Sequence, residues 1–366
     1  MFAAACVLGG CSSSGGSQPT ELIDIAQARP VRVLWTAQIG HADEYLFFPI
    51  LRDGSVYAAG RAGKVVRFDA ATGREIWRVA IGRPLATGVG SDGKLVLVAS
   101  EKGEIFALDA RDGTQRWSAR TTSEVLAPPV PAGDMVLVRS GDSRVFAFGA
   151  ADGKRRWVYQ HPATSLMVRA PLGTATDADT AYVGFPTGRL VALSLATGNP
   201  RWEATVANPR GATELERVTD VLGEPAVLGR EVCVAAYQGR VACYDTQAGN
   251  QLWVRDLASA SGVSLDARYA LVVDDRGSVH ALDRSSGRSI WKQDQLGYRS
   301  PSLPTPAGNI VVTGDYDGYV HFLDRDTGAF IARFSSPYGA IRVAPLPLPS
   351  GVLVQTAGGV LYALAL

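Results

Sequence analysis

Residues 279–291 read Val-His-Ala-Leu-Asp-Arg-Ser-Ser-Gly-Arg-Ser-Ile-Trp, and this stretch decides the fold. An alternating apolar run ends in Asp, and Gly and then Trp follow at intervals of four residues. The run predicts a β-strand, the polar middle predicts a tight turn, and the Ile-Trp pair begins the next strand. The same spacing occurs four times, at the following residues: Asp69, Gly73 and Trp77; Asp109, Gly113 and Trp117; Asp245, Gly249 and Trp253; Asp283, Gly287 and Trp291.

Two incomplete copies of this pattern lie between complete ones, and a third follows the last complete copy. They are Gly149, Gly153 and Trp157; Ser194, Gly198 and Trp202; Asp324, Gly328 and Ala332. Trp35 fits as well, because the residues after it match those after Trp77, so each of the seven Trp residues belongs to a copy. The intervals between successive Trp residues are 42, 40, 40, 45, 51 and 38 residues. A period near 40 residues indicates a repeat architecture.

The content of each unit decides which repeat architecture this is. Short apolar runs rich in Val, Leu, Phe and Tyr alternate with Gly and Asp turns, and none is long enough for a helix of a globular domain. Four short antiparallel strands per unit make one blade of a β-propeller. We therefore predict an all-β fold, an eight-bladed β-propeller of four-stranded antiparallel blades. A seven-bladed ring is the alternative.

The two ends of the chain predict how the ring closes. The last hairpin, residues 351–366, ends before its own turn and Trp, whereas residues 31–35 offer a strand with a Trp and no hairpin. An N-terminal strand that completes the last blade would remove an open sheet edge.

Each residue of the repeat has a structural role in this interpretation. The Asp carboxylate is expected to accept hydrogen bonds from turn amides, and the Gly to supply a positive φ without steric cost. The Trp is expected to fill the wedge between neighbouring blades, with its indole N–H donated to an acceptor. The recurrent carboxylates are thus expected to cap turns rather than to form a catalytic or metal-binding cluster.

The rest of the composition excludes several classes of function. The 366 residues carry a formal net charge of +1 and contain no basic run, so no nucleic-acid partner is expected. No motif of a nucleotide-binding loop, hydrolase or zinc site is present. His280 and His321 hold equivalent strand positions in successive units, which favours a structural role. We predict no catalytic residue, no metal site and no cofactor.

The N-terminus resembles the end of a bacterial lipoprotein signal. Residues 1–11 form a short apolar run that ends in Leu-Gly-Gly-Cys, and Ser12 follows. This resemblance implies a lipidated Cys11 and an outer-membrane location on the periplasmic face. It divides the chain into a signal remnant (1–10), a flexible tether (11–30) and a single propeller (31–366). A frayed N-terminus with an incidental Cys is the alternative, since the run lacks a preceding Lys or Arg.

Two further cysteines, Cys233 and Cys243, lie in one predicted hairpin. A three-residue loop, Tyr-Gln-Gly, would place them opposite each other. Cross-strand cysteines come within disulfide reach only in some geometries, so a disulfide bond and two buried free thiols both remain open.

The Asp, Gly and Trp spacing resembles the repeat of the pyrroloquinoline-quinone (PQQ) enzymes. That resemblance suggests a quinoprotein dehydrogenase as one function. Those enzymes use a pair of adjacent Cys against the quinone, and no two Cys are adjacent here. Every Trp is already part of a blade, which leaves none to stack on a cofactor. We therefore expect the purified protein to carry no quinone.

The whole chain more closely resembles the outer-membrane β-barrel assembly lipoprotein B (BamB) family. A lipobox, a single propeller and two segments, residues 164–171 and 211–221, carry this resemblance. It implies a non-enzymatic scaffold that docks on the periplasmic POTRA domains of the central barrel-insertase subunit, with unfolded outer-membrane proteins as further clients. Carried over by motif, Leu166, Val168 and Arg169 match the first docking segment, and Asp220 matches the second. The family has another acid two residues after this Asp, where this chain has Leu222.

Overall fold

The described part of the chain forms thirty-two short strands, which are arranged as eight four-stranded antiparallel sheets. The structure, a computed structural model, describes residues 18–162, 166–259 and 261–366. The innermost strands of each blade contact those of the next blade, and the innermost strand of blade 8 contacts that of blade 1. The predicted eight-bladed ring is therefore confirmed.

The strand bounds follow the repeat. The innermost strands of blades 1 to 8 are Ile50–Arg52, Gly90–Ser91, Val130–Ala132, Thr174–Thr176, Val221–Leu228, Ser264–Leu265, Thr305–Ala307 and Leu346–Leu348. The second strands are Ser55–Ala59, Leu95–Ala99, Met135–Ser140, Thr180–Phe185, Glu231–Ala236, Tyr269–Val273, Ile310–Gly314 and Gly351–Gln355. The third strands are Lys64–Asp69, Glu104–Asp109, Arg144–Gly149, Arg189–Ser194, Arg240–Asp245, Val279–Asp283, Tyr319–Asp324 and Val360–Ala365. The outermost strands are Glu75–Ala80, Gln115–Arg120, Arg155–Gln160, Pro200–Thr205, Gln251–Asp256, Ser289–Gln293, Phe330–Ser335 and, in blade 8, Arg32–Gln38.

The N-terminal strand closes the ring as predicted. Arg32–Gln38 pairs antiparallel with Val360–Ala365, and Trp35 lies opposite Ala363. Closure by the two ends of the chain leaves no blade with a missing strand. A 3₁₀ turn, Pro186–Gly188, connects the second and third strands of blade 4. The part of the chain that the structure describes contains no helix long and apolar enough to cross a bilayer.

In the complete copies of the repeat, the Asp and Gly build the turn before the outermost strand. The Asp69 carboxylate accepts hydrogen bonds from the amides of Ala71 and Thr72 at 3.2 and 2.9 Å. Gly73 has φ +69°, and a Cβ there would lie 2.5 Å from the ring of Trp35 in the preceding blade. The Gly is thus required twice, for its backbone conformation and for the close approach of the indole.

Each Trp joins its blade to the next one. The Trp35 indole donates a hydrogen bond to the carbonyl of Ala70 at 3.0 Å, and the Trp77 indole donates to that of Ala110 at 3.0 Å. The same bond recurs from the other five Trp residues to carbonyls of residues 150, 195, 246, 284 and 325. The predicted wedge and its indole acceptor are confirmed, and the apolar core lies between the blades.

The cysteine hairpin has the predicted register. Cys233 lies directly opposite Cys243 in blade 5, both side chains are fully buried, and a disulfide bond joins them.

The tether prediction differs from the structure for its last residues. The amide of Thr20 donates a hydrogen bond to the Gly297 carbonyl at 2.9 Å, and the amide of Arg29 donates to the Ile331 carbonyl at 3.0 Å. The chain from Thr20 to Arg29 therefore lies against blade 7 instead of forming a free tether. Cys11 and the predicted signal remnant, residues 1–10, lie outside the described residues.

Candidate partner-binding surface

Two kinds of loop share one side of the propeller because the strands within a blade are antiparallel. They are the connections from each outermost strand to the next blade and the turns between second and third strands. We call this side the connector face. Its two longest connections, residues 161–173 between blades 3 and 4 and residues 206–220 between blades 4 and 5, contain the segments singled out in the sequence.

These two connections are joined by a hydrogen bond. The backbone amide of Val168 donates to Oδ2 of Asp220 at 2.7 Å. The other carboxylate oxygen, Oδ1, accepts a longer bond, 3.3 Å, from the amide of Thr187, whose φ is +59°. Asp220 therefore holds the connection of residues 161–173 and the turn of blade 4 in place at once.

Asp220 itself does not face solvent. It is only 3% exposed, although we expected it to lie at the partner surface with the other three residues. Burial raises the pKa of its carboxyl above the usual range, while the amide hydrogen bonds from Val168 and Thr187 favour the ionised form. The sequence thus predicts that Asp220 lies beside Val168, but not its depth, and the geometry gives it a positioning role.

A buried arginine balances this charge. The Arg139 guanidinium donates to the Gly184 carbonyl at 3.0 Å and lies 4.4 Å from the centre of the Phe185 ring. Burial lowers the pKa of Arg139 to about 10, and the Asp220 carboxylate acts in the opposite direction. Arg139 was not identified from the sequence, because nothing in the strand pattern of blade 3 distinguishes it from a solvent-facing arginine.

Arg169 lies at the surface in a fixed orientation. Its Nε and Nη2 atoms pair with the two carboxylate oxygens of Glu124, at 3.1 and 2.9 Å respectively. Its guanidinium carbon lies 5.7 Å from the centre of the Tyr45 ring. The side chain is still 54% exposed, so a partner can reach it.

The contacts of Arg169 continue across three blades of the connector face. The Tyr45 hydroxyl donates to Glu101 at 2.6 Å, and Arg61 pairs with the same carboxylate at 2.8 Å. The sequence did not identify Tyr45, Glu101 or Glu124. The one available signal was that Glu124 lies in the connection one blade before that of Arg169.

Apolar side chains flank the ion pair. Leu166 is 44% exposed and Val168 is half-buried, so neither is sealed in the sheet stack. Leu215, in the second long connection, is 66% exposed. The surface therefore combines exposed aliphatic groups with one oriented guanidinium, a composition that suits a protein partner.

The histidines of the repeat are structural. His280 and His321 each contact an Asp six residues earlier, with His280 Nε2 2.9 Å from Asp274 and His321 Nε2 3.1 Å from Asp315. Among the described residues, no group of His, Cys, Asp or Glu is arranged to hold a metal ion.

Comparison with known proteins places this geometry in a family. The sequence model of the family described as "Outer membrane protein assembly factor BamB" matches residues 61–293. The assembly factor of that name from Burkholderia pseudomallei is 40% identical over 98% of this chain and 95% of its own length. The crystal structure of BamB from Moraxella catarrhalis has a TM-score of 0.84 and 27% identity, and the match covers 92% of this chain and all of that one.

The resemblance to the quinoprotein enzymes is limited to the fold. The quinohemoprotein alcohol dehydrogenase from Comamonas testosteroni has a TM-score of 0.70, with only 14% identity over 91% of this chain and 76% of its own. The high-coverage relatives are named assembly factors and are not enzymes.

Proposed function

The chain belongs to the family of outer membrane protein assembly factor BamB, and from this membership we propose that it is a non-enzymatic docking scaffold. The role that comes with the family is outer-membrane protein assembly. The finer proposal is that the connector face binds the periplasmic POTRA domains of the central barrel-insertase subunit through Leu166, Val168 and Arg169, with Asp220 behind them.

One observation carries this proposal. The bond between Val168 and Asp220 joins the two long connections, and the ion pair between Arg169 and Glu124 fixes the first of them to the connection one blade earlier, so that they form one preformed surface. Preorganised segments lose less conformational entropy on binding, so more of the contact energy appears as affinity.

The chemistry of the surface suits such a partner. Leu166 offers apolar area that a partner can bury. Arg169 pairs with Glu124 through Nε and Nη2, so the Nη1 side of its planar guanidinium points away from Glu124 and can meet a carboxylate or carbonyl of the partner. Apolar area stabilises the complex, and the charge sets its register and association rate.

A lipid on Cys11 would hold this scaffold at the periplasmic face of the outer membrane. The proposal is supported by the lipobox pattern of residues 8–11. Cys11→Ala is expected to give a soluble periplasmic protein without the lipid mass. Unchanged membrane fractionation together with unchanged mass would contradict the anchor.

The experiment that tests the docking role is purification of the native membrane complex through a tag on this chain, followed by identification of its members. The expected partner is the POTRA-containing insertase. A variant with Arg169→Ala and Leu166→Ala serves as the comparison, because it should lose the insertase while remaining folded. Recovery of the insertase in equal amounts with both proteins would contradict the proposed surface.

A further inference from the structure

The second long connection, residues 206–220, contains a turn that is held by its own hydrogen bonds. Oε2 of Glu216 accepts hydrogen bonds from the amides of Ala212 and Thr213 at 2.8 and 3.1 Å. In return, Oγ1 of Thr213 accepts one from the amide of Glu216 at 3.3 Å. Reciprocal bonds between a Thr and a Glu three residues later form a capping box, which fixes the start of a helical turn.

Backbone bonds complete this turn. The amide of Arg217 donates to the Glu214 carbonyl at 3.2 Å, and that of Val218 donates to the Leu215 carbonyl at 3.3 Å. Nε of Arg217 donates to the Gly211 carbonyl at 3.0 Å, which ties the two ends together. Residues 211–217 are all exposed. The turn is therefore shaped by its own hydrogen bonds and not by packing on the blades.

The turn presents one large apolar side chain. Leu215, at 66%, is the most exposed large hydrophobic residue in the described part of the chain. The turn needs no leucine at this position, because its hydrogen bonds come from Thr213, Glu216, Arg217 and the backbone. A single exposed leucine is ordinary on a protein surface, but this one is held by an ordered loop, and loops positioned by a rigid scaffold often carry binding residues.

The turn leads directly into the partner-binding surface. Buried Val218 and Thr219 follow it, and Asp220 then binds the amide of Val168. The segments that carry Leu215 and Leu166 are therefore fixed to each other through Asp220. Leu215 precedes Asp220 by only five residues, so a partner that covers Leu166 and Arg169 is within reach of the turn, and this continuity points to the same occupant for Leu215.

We propose that Leu215 is an additional anchor of the docking surface, which inserts into an apolar socket on the same insertase domain that covers Leu166 and Arg169. Glu216 is its positioning residue, because the capping box orders the turn before binding. A segment that must become ordered on binding loses conformational entropy, and a preformed turn avoids much of that cost. This inference rests on the proposed docking function.

The test measures the affinity of the protein for purified POTRA domains of the insertase. Leu215→Ala is expected to weaken binding about tenfold, the effect of removing an interface anchor. Leu252→Ala is the matched control. Leu252 is 47% exposed and lies on the outermost strand of blade 5, the blade that follows the second long connection, away from the connector face. The control should bind within about twofold of the parent, since exposed residues outside an interface contribute little.

A second pair of variants tests the positioning role of Glu216. Glu216→Ala should weaken binding and also speed hydrogen exchange at the amides of Ala212 and Thr213, although Leu215 is still present. Glu216→Gln should restore most of the affinity and most of the protection from hydrogen exchange, because Gln also completes a capping box. Circular dichroism should show an intact propeller in every variant, since the turn makes no core contact.

The outcomes separate this inference from the docking proposal. If Leu215→Ala binds like the parent while Arg169→Ala binds more weakly, the Leu215 anchor is wrong and the docking surface stands. If the parent does not bind the POTRA domains at all, both are wrong. If Leu215→Ala leaves the affinity unchanged but dissolves a dimer in sedimentation, Leu215 faces a second copy of the chain and the assigned partner is wrong.

Discussion

The carboxylate of Asp220 accepts a hydrogen bond from the amide of Val168 at 2.7 Å, across 52 residues of sequence. This bond explains how two insertions on a regular propeller become one surface. Because Asp220 is buried while Leu166 and Arg169 are exposed, the docking proposal assigns the partner contacts to Leu166 and Arg169 and not to the acid. In the docking proposal, the acid acts by holding the segment that carries Leu166 and Arg169.

Replacement of Asp220 tests this positioning role. Asp220→Ala leaves two amides, those of Val168 and Thr187, without their acceptor and should lower the free energy of unfolding by about 2 kcal/mol. It should also speed hydrogen exchange at Val168 and weaken POTRA binding. Asp220→Asn keeps one oxygen acceptor. Its free energy of unfolding and its affinity should therefore lie between those of Asp220→Ala and the parent.

A double-mutant cycle separates positioning from direct contact. If Asp220 acts only through the segment, Asp220→Ala should cost little further affinity once Arg169→Ala and Leu166→Ala are present. Fully additive losses would instead show that Asp220 contacts the partner directly.

The repeat predicted much of the fold, because each of its residues acts locally. The turn around Gly287 and the strand before it are determined within a few residues, and the period then gives the blades. The indole of Trp253 meets Gly287 of the next blade for the same reason, since the repeat brings equivalent positions together.

The site could be predicted only in part, because it depends on contacts between loops. The motif identified the segment of Leu166 and Arg169, but the pairing of Arg169 with Glu124 depends on how far each blade turns around the ring. The depth of Asp220 likewise depends on the path of a long connection, which has no periodicity to reveal it. The contact of Arg29 with Ile331 was not predicted for a similar reason, because its stretch of chain lacks the repeat pattern, and the apolar Leu22 within it does not show which blade it packs against.

Gly287→Ala should destabilise the propeller strongly. Gly287 has φ +67°, and an added Cβ would lie 2.5 Å from the Trp253 ring, so both strain and overpacking apply. We expect a loss of about 3 kcal/mol in the free energy of unfolding, measured by denaturant titration. The matched control is Gly229→Ala, at φ +63° with nothing within 4 Å, which should cost only about 1 kcal/mol. Equal losses would mean that the contact between Gly and Trp does not stabilise the ring.

Asp274 should make stability depend on pH in acid. Burial opposes its ionisation, but the hydrogen bonds from His280 and from the amides of Ser278 and Arg276 outweigh burial and lower its pKa to about 2. The folded pKa lies below the unfolded value, so this contribution is present above about pH 4 and disappears as the pH falls towards 2. The ionised Asp274 carboxylate contributes roughly 2 kcal/mol to the free energy of unfolding.

The measurement for Asp274 compares the parent with Asp274→Asn by denaturant titration between pH 5 and pH 2. The difference in unfolding free energy should shrink steadily as the pH falls. Asp275→Asn, a change at the exposed neighbouring residue, should show no such trend. A difference that stays constant over this range would rule out the proposed stabilisation of the Asp274 carboxylate.

The most direct test of the docking surface is the affinity of the folded protein for the purified POTRA domains of the insertase, measured for the parent, Arg169→Ala and Arg201→Ala. Arg201 is the matched control, because it is also a half-exposed arginine in an ion pair, with Asp179, but it lies on an outermost strand. Truncation of a central arginine costs about 2 kcal/mol, so Arg169→Ala should bind about 30-fold more weakly. Arg201→Ala should bind like the parent. Equal affinities of the parent and Arg169→Ala, with both folded by circular dichroism, would contradict the account.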